Sequence, residues 1–277
     1  MRFASFDMDT GASWGLWREE GVAPVSQPFR ARFPTLRAAL ACDALDEAAV
    51  SLDPILPEAA FRLLPPIPDP GKIICIGKNY ADHAAESGDA PAPYPSLFLR
   101  FADTLVAHGA PLRHPGISEQ FDYEGELALV IRRPAWRVSE EEAPAHIAGY
   151  SLFLDGSVRD WQFRHSLAAG KNFPGTGGFG PSLVTADEIG DPAALTVATW
   201  LNGEEVQRAP VSDLIHAIPR LVSYVSSFTP LSPGDVITTG TPAGVGFART
   251  PPLWMKPGDL VEVEIGRVGR LRHEVRA

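Results

Sequence analysis

The stretch Asp122-Tyr123-Glu124-Gly125-Glu126-Leu127-Ala128-Leu129-Val130-Ile131 decides how the rest of the chain is read. Leu127 to Ile131 is unbroken apolar sequence, the pattern of a strand covered on both faces. Side chains two apart on a strand share a face, so Glu124 and Glu126 are predicted to point the same way. Two such carboxylates at the mouth of a buried strand repel and are costly to desolvate. A divalent cation would remove that cost, and oxygen-only ligands favour Mg²⁺, Mn²⁺ or Ca²⁺ over zinc. The alternative is a solvated strand end with both glutamates in water. The flanking sequence has to choose between the two.

Composition narrows the choice. A chain of 277 residues fits one large domain, or one domain with a small companion, and is long enough to bury a substantial core. A net charge of -10 argues against nonspecific nucleic-acid binding and against an anionic membrane surface. Of the 24 basic residues only Lys72, Lys78, Lys171 and Lys256 are lysines, so a lysine inside a motif carries weight. Cys42 and Cys75 form neither a metal spacing nor a disulfide framework, and Cys75 within Ile73-Ile74-Cys75-Ile76 reads as a small buried hydrophobe. No signal peptide and no bilayer-length apolar run is present, so the expected address is the cytoplasm.

Working outward, residues 1–68 read as a small N-terminal domain. It has two short strands near Phe3–Phe6 and Ser13–Trp17 and helical spacing from Leu36 to Leu45, and carries no evident chemistry. The proline-rich Leu64–Gly71 marks the boundary, and 69–277 forms the second domain. There Lys72–Gly77 is a short strand, followed by one or two helical turns that place His83 and Glu86 on one face. On that spacing alone a surface histidine with a helical ion pair is the better description. Asp89–Pro95 reads as a mobile loop, Leu97–Phe101 as a strand, and Ser139–His146 as a short acidic helix. Ile147–Leu154 is a second apolar strand ending in Asp155, which meets Glu124 and Glu126 if the two strands are neighbours. A helix starting near Ser157 puts Arg159 and Gln162 on one face. Ala169–Pro181 is a glycine-rich connection that fits no phosphate loop. It is either a long flexible link or backbone approaching a ligand, with Lys171 as the charge. Beyond residue 182 come short strands, a hairpin at Asn202-Gly203, an apolar helix over Leu214–Phe228, and two Pro-Gly-Asp turns around Gly240–Gly246.

Together, Gly77-Lys78-Asn79-Tyr80-x-x-His83-x-x-Glu86, Asp122-x-Glu124-x-Glu126-Leu127, Asp155-x-x-x-Arg159-Asp160-x-Gln162, Gly170-Lys171-x-Phe173 and Thr239-Gly240-Thr241-Pro242-x-Gly244-Val245-Gly246 resemble the fumarylacetoacetate hydrolase superfamily over roughly residues 70–265. The resemblance implies an α+β, mostly β fold, a mixed sheet rolled towards a barrel, and a homodimer. It implies metal ligands at Glu124, Glu126 and Asp155, binding Mg²⁺, Mn²⁺ or Ca²⁺. It implies catalytic roles for His83, Glu86 and Lys171 and substrate contacts from Lys78, Tyr80, Arg159, Gln162, Lys171 and Thr241. The chain departs from the family at Pro174, where an Asp is common, and in lacking a charged residue after Asp89 in the Asp89–Pro95 segment.

The implied substrate is a small anionic 2-keto acid, met in aromatic or sugar-acid catabolism. In a 2,4-diketo acid of the acylpyruvate type, water activated by His83 and Glu86 would cleave a C–C bond, giving pyruvate and a second carboxylic acid. Lys171 and Gln162 would hold the developing oxyanion, and Arg159 would position the acid. Decarboxylation, hydration or isomerisation of a 2-keto acid passes through the same enolate and needs no hydrolytic water. A non-catalytic sugar-acid or metal-binding module predicts loss of His83, Glu86 or Lys171, and all are present. A structural calcium site leaves the His-x-x-Glu pair and the lysine segment unexplained.

Overall fold

The computed structural model describes residues 1–88 and 90–277. The chain opens with a meander of three strands, β1 (Arg2–Met8), β2 (Gly11–Arg18) and β3 (Gly21–Pro24), followed by helix α1 (Leu36–Ala41). Strand β4 (Ile73–Gly77), helix α2 (Ala81–Glu86) and strand β5 (Ser96–Arg100) lead to β6 (Gly125–Ile131) and β7 (Ile147–Leu154). Two short helices, α3 (Arg159–Arg164) and α4 (Leu167–Lys171), precede β8 (Gly177–Thr185). The hairpin β9 (Thr196–Leu201) and β10 (Glu204–Pro210), helix α5 (Ile218–Phe228), and strands β11 (Val236–Thr238), β12 (Leu260–Ile265) and β13 (Gly269–Arg276) follow, with shorter helices and strands between these main elements. Strand dominates helix, as the motifs imply.

One mixed sheet runs in the order β3-β2-β1-β8-β7-β6-β11-β4-β5, and a second in the order β10-β9-β12-β13 with Leu112–Arg113 at its far edge. Their central strands explain the unbroken apolar run: every residue of β6 and β7 is buried. Alternation along β6 divides its side chains between two cores. Leu127, Leu129 and Ile131 join Val197, Val263, Leu271 of the second sheet and Leu221 and Val225 of α5. Ala128 and Val130 join Phe3, Trp14, Leu36 and Leu40 from the N-terminal segment. Residues 1–68, expected as a separate module, therefore add strands to the same sheet and cover its other face. β1 pairs antiparallel with β8, matching Phe3 to Leu183.

Three local expectations change. The acidic segment Ser139–His146 is helical only as a 3₁₀ turn over Ala143–His146, with Pro144 at its start, where a missing N–H costs nothing. The apolar helix starts at Ile218 with Pro219 in its first turn, and Val211–Asp213 forms a separate 3₁₀ turn. The glycine-rich connection is no flexible link, because α4 and the wholly buried β8 take up most of it. The loop expected at Asp89–Pro95 begins on a residue outside those described; Ala90–Pro95 forms neither helix nor strand, and Tyr94 stacks on Tyr224. The Asn202-Gly203 hairpin is as expected, with both residues at positive φ, 54° and 83°, the signature of a type I′ turn. No helix among the described residues is long and apolar enough to cross a membrane.

His273 in β13 is buried, its Nδ1 2.8 Å from the Ala110 carbonyl oxygen, and a side chain on Gly178 would collide with its ring. Burial pushes its imidazole down to about 4 from the usual 6.5. A depressed histidine leaves the unfolded chain as the better proton acceptor, so stability is full above pH 6.5 and falls as the pH drops towards 4. The expected loss is about 3 kcal/mol over that window, at about 1.4 kcal/mol per pH unit. Urea unfolding of wild type and His273→Gln at several pH values checks this, and parallel pH profiles for the two would refute it.

Candidate active site

The register of β6 on β7 assembles the acidic centre. Gly125 pairs with Leu154 and Glu126 with Phe153, and Asp155 N–H donates to the Glu124 carbonyl at 2.8 Å. Asp155 thus lies beside Glu124 as the ladder ends. Carboxylate oxygens of Glu124, Glu126 and Asp155 lie within 4.8 Å of one another, and all three residues are buried. The intervening residue must be glycine, because a Cβ on Gly125 would lie 2.1 Å from Thr199 Oγ1 on the facing sheet. The buried site is therefore favoured over the solvated strand end.

Built-in cations face these acids unevenly. Lys171, at the end of α4, places Nζ 2.7 Å from both Glu124 Oε2 and Asp155 Oδ2. Arg159, the first residue of α3, reaches Glu124 Oε1 with Nη2 at 2.7 Å and Asp122 Oδ2 with Nε at 2.8 Å. Arg100, at the end of β5, pairs with Asp155 Oδ1. Burial works against the Glu124 carboxylate, but Lys171 and Arg159 outweigh it and hold its pKa down at about 2. Burial likewise disfavours the Lys171 ammonium, and Asp155 and Glu124 more than offset it, so Lys171 is a fixed cation rather than a base. Glu126 is different. Among the described residues no Lys or Arg pairs with it; its Oε2 accepts one N–H, from Gly240 at 2.9 Å. Burial, then repulsion from Asp155 and Glu124, pushes its pKa well above the carboxylate range. A proton or an additional cation relieves that. Oxygens bound at about 2.0–2.6 Å to a hard divalent ion lie up to roughly 4–5 Å apart, so the three carboxylates fit Mg²⁺ or Mn²⁺ in both chemistry and spacing.

The cavity beside this centre has a volume of about 170 Å³. His83, Lys78, Arg159, Gln162, Lys171 and Thr241 line it together with Glu124, bringing most of the expected residues to one place. His83 Nδ1 is 2.7 Å from Glu86 Oε1, so Nε2 is the nitrogen left for the cavity. Glu86 lies behind it, its other oxygen accepting the Gly244 N–H at 2.9 Å. Gln162 Oε1 accepts from Arg159 Nη1 at 3.0 Å, as the helical spacing predicts. Lys78 holds φ at +55°, a conformation rare for a side-chain-bearing residue.

One of the expected substrate contacts falls outside this cavity. Tyr80 does not reach this cavity. Its extended backbone bridges Leu214, and its ring lines a separate pocket with Arg208, Asp213 and Pro242. Thr241 touches the cavity, but its hydroxyl donates to the Gly125 carbonyl and accepts from Gln207, so its hydrogen bonds serve the frame. Gly175, Gly177 and Gly178 approach protein groups closely, with Gly177 against Arg100 and Leu105 and Gly178 against His273. Sequence reading also passed over Arg100, Gln207 and the aromatic wall formed by Phe98, Phe163 and Phe247. The available signal for Arg100 was a basic residue closing an apolar strand, Leu97-Phe98-Leu99-Arg100.

The model of the fumarylacetoacetate hydrolase C-terminal domain matches residues 72–276. This chain belongs to the fumarylacetoacetate hydrolase family. Within that family it is 42% identical over 219 residues to the oxaloacetate tautomerase YisK of Bacillus subtilis, covering 77% of this chain and 73% of that protein. It is 40% identical over 238 residues to the mitochondrial oxaloacetate tautomerase fahd2 of Xenopus laevis, covering 84% and 75%. Its fold matches the maleylpyruvate hydrolase of Sphingobium sp. SYK-6, solved with manganese(II) and pyruvate, at a TM-score of 0.79 and 29% identity over 100% and 99% of the two chains.

Glu126→Gln is expected to abolish Mn²⁺ and Mg²⁺ binding by calorimetry while leaving the metal-free melting temperature unchanged or raised, since a neutral side chain removes repulsion. Unchanged metal affinity would show that Glu126 is not a ligand.

Proposed function

We propose that this protein is a metal-dependent tautomerase or isomerase of small 2-keto acids, acting by proton transfer rather than by cleavage of a carbon–carbon bond. The observation that carries this is His83, clamped by Glu86 at 2.7 Å and lining the cavity beside Glu124, Arg159 and Lys171. The tautomerase names of relatives at 40% and 42% identity support the same reading. Glu124, Glu126 and Asp155 would hold Mg²⁺ or Mn²⁺, which when bound would supply Lewis acidity towards the carbonyl of the keto acid. Arg159 and Lys171 attract and orient the anionic acid, and Gln162 steadies Arg159. In the ketone-to-enol direction His83 Nε2 takes the proton from C3, the C2 oxygen gains a proton from solvent and the imidazolium releases its own to solvent. In the reverse direction the enol O–H proton leaves to solvent and protonated His83 delivers one to C3, while the Glu86 bond to Nδ1 sets the tautomer and supports the charged ring.

Hydrolysis of an acylpyruvate-type 2,4-diketo acid is the second reading. The His83–Glu86 pair also suits removal of a proton from water, and one structural relative is a maleylpyruvate hydrolase. Mn²⁺-loaded enzyme given oxaloacetate should accelerate loss of the enol absorbance without matching pyruvate release. Pyruvate release from acylpyruvates with no effect on the enol–keto rate would reverse the order of the two readings. His83→Ala should lower kcat by about 10²–10⁴-fold, the usual scale of acid–base catalysis, with Mn²⁺ affinity nearly unchanged. Near-wild-type kcat across the pH range would remove His83 from the mechanism.

We propose that the protein acts as a cytoplasmic homodimer. Leu99 and Phe101, exposed at the β5 edge of the main sheet, supply apolar surface for such contact. A monomeric sedimentation coefficient at micromolar concentration would exclude the dimer.

A further inference from the structure

We infer that Arg100 is a positioning residue that sets the orientation of the Asp155 carboxylate for cation binding and ties the acidic centre to the glycine-rich segment. This rests on the metal reading of Glu124, Glu126 and Asp155.

The surroundings of Arg100 are built for a guanidinium. Its side chain is fully buried, as is that of Asp155. Nη1 donates to Asp155 Oδ1 and, at 3.0 Å, to the Gly156 carbonyl. Nη2 donates to Thr176 Oγ1 at 3.1 Å and lies 3.5 Å from Thr104 Oγ1. Each threonine hydroxyl gives its own hydrogen to a backbone carbonyl, Thr176 to Phe173 and Thr104 to Phe101, both at 2.7 Å. Both therefore turn lone pairs towards Arg100, which has only donors to offer. A Cβ on Gly177 would come within 2.7 Å of Nη2, so glycine makes room for the fork. Lysine, with one nitrogen, cannot satisfy this spread of acceptors.

The consequence falls on Asp155. Oδ1 is committed to Arg100, which leaves Oδ2, the oxygen facing Lys171 at 2.7 Å, for the acidic centre. Arg100 does not line the cavity, so it acts through Asp155 and not on substrate. Two physical effects oppose each other. Coulomb repulsion alone predicts that removing a buried cation tightens metal binding. Loss of orientation predicts weaker binding, by about 10–100-fold for partners that hold a metal ligand. The orienting effect is expected to win, because without Arg100 the Asp155 side chain is held only at Oδ2 by Lys171 and can pivot about that contact away from the other two carboxylates.

The test titrates Mn²⁺ alone into metal-free wild type, Arg100→Met, Arg100→Lys and Glu126→Gln, read by calorimetry and by the free Mn²⁺ spin-resonance signal. Arg100→Met should weaken Mn²⁺ binding by about 10–100-fold. Arg100→Lys should lose less, because it keeps a charge on Asp155 while giving up the bonds to Gly156 and Thr176. Activity of Arg100→Met should recover towards wild type as Mn²⁺ is raised. A merely structural Arg100 would lower the melting temperature and leave the Mn²⁺ dissociation constant alone; that result, or tighter binding, overturns the inference. If Arg100→Met does not fold, Arg100→Lys decides, and unchanged affinity there also overturns it. Wild type binding no Mn²⁺ would defeat the metal reading itself. Wild-type binding that Glu126→Gln loses and both Arg100 variants keep would defeat the Arg100 inference alone.

Discussion

Neutralisation of buried negative charge is the constraint on which the rest of the site depends. Asp122, Glu124, Glu126 and Asp155 lie at one end of the β6–β7 pair, each buried. A carboxylate out of water needs a counter-charge or a proton. Arg159 serves Asp122 and Glu124, Lys171 serves Glu124 and Asp155, and Arg100 serves Asp155. Glu126 alone among the four has no such partner among the described residues. That imbalance leaves room for one more cation beside Glu126, while Arg159 and Lys171 already serve the other three acids. Breaking such a cluster on one side leaves a buried charge unpaired, at about 3–5 kcal/mol.

The same acids also organise backbone. Asp122 accepts N–H groups from Tyr123, Gly246 and Phe247 besides its bond to Arg159. Glu86 accepts Gly244 N–H while touching His83. Residues 240–247 are thus held between the start of β6 and helix α2. That loop ties His83, through Glu86, to the acidic centre, whose Glu124 lines the same cavity as His83. Gln207 completes the frame by accepting from Gly125 N–H and donating to Thr241 Oγ1 and the Pro242 carbonyl. Proton transfer is sensitive to small displacements, so a histidine fixed at both its ring partner and that partner's other oxygen suits the chemistry.

The cavity is divided by polarity. Its floor carries Glu124, Arg159 and Lys171, and its wall includes Phe98, Phe163 and Phe247. Phe247 lies under the Arg159 guanidinium, 4.6 Å from ring centroid to Cζ, and Phe98 under Lys171 at 5.1 Å. Aromatic faces against cations shield them from water without competing for their donors. Phe163 remains largely exposed and meets Phe247 edge-on at 5.6 Å, so the apolar wall extends to the mouth.

What the sequence determined by itself was whatever depends on neighbours a few residues apart. Glu124 and Glu126 converge as their i, i+2 spacing suggests, although the strand begins only at Gly125 and Glu124 lies just before it. Helical spacing joined His83 to Glu86 and Arg159 to Gln162, and Asn202-Gly203 made its hairpin. Motif order supplied Lys171 and the tie to Asp155. Tertiary structure decided what depends on partners far along the chain. Arg100 meets an acid 55 residues away, and only the folded sheet shows that its charge is buried. Tyr80 turns from the cavity because a bridge to Leu214 fixes its backbone. The glycine-rich Ala169–Pro181 reads as either a flexible link or backbone approaching a ligand, because glycine signals close approach without naming what approaches; the fold supplies Arg100 against Gly177 and His273 against Gly178. Residues 1–68 read as separate because a proline-rich stretch marks a break in local structure. Whether the elements on either side share a sheet is set by strand pairing, β1 against β8, which no local pattern encodes.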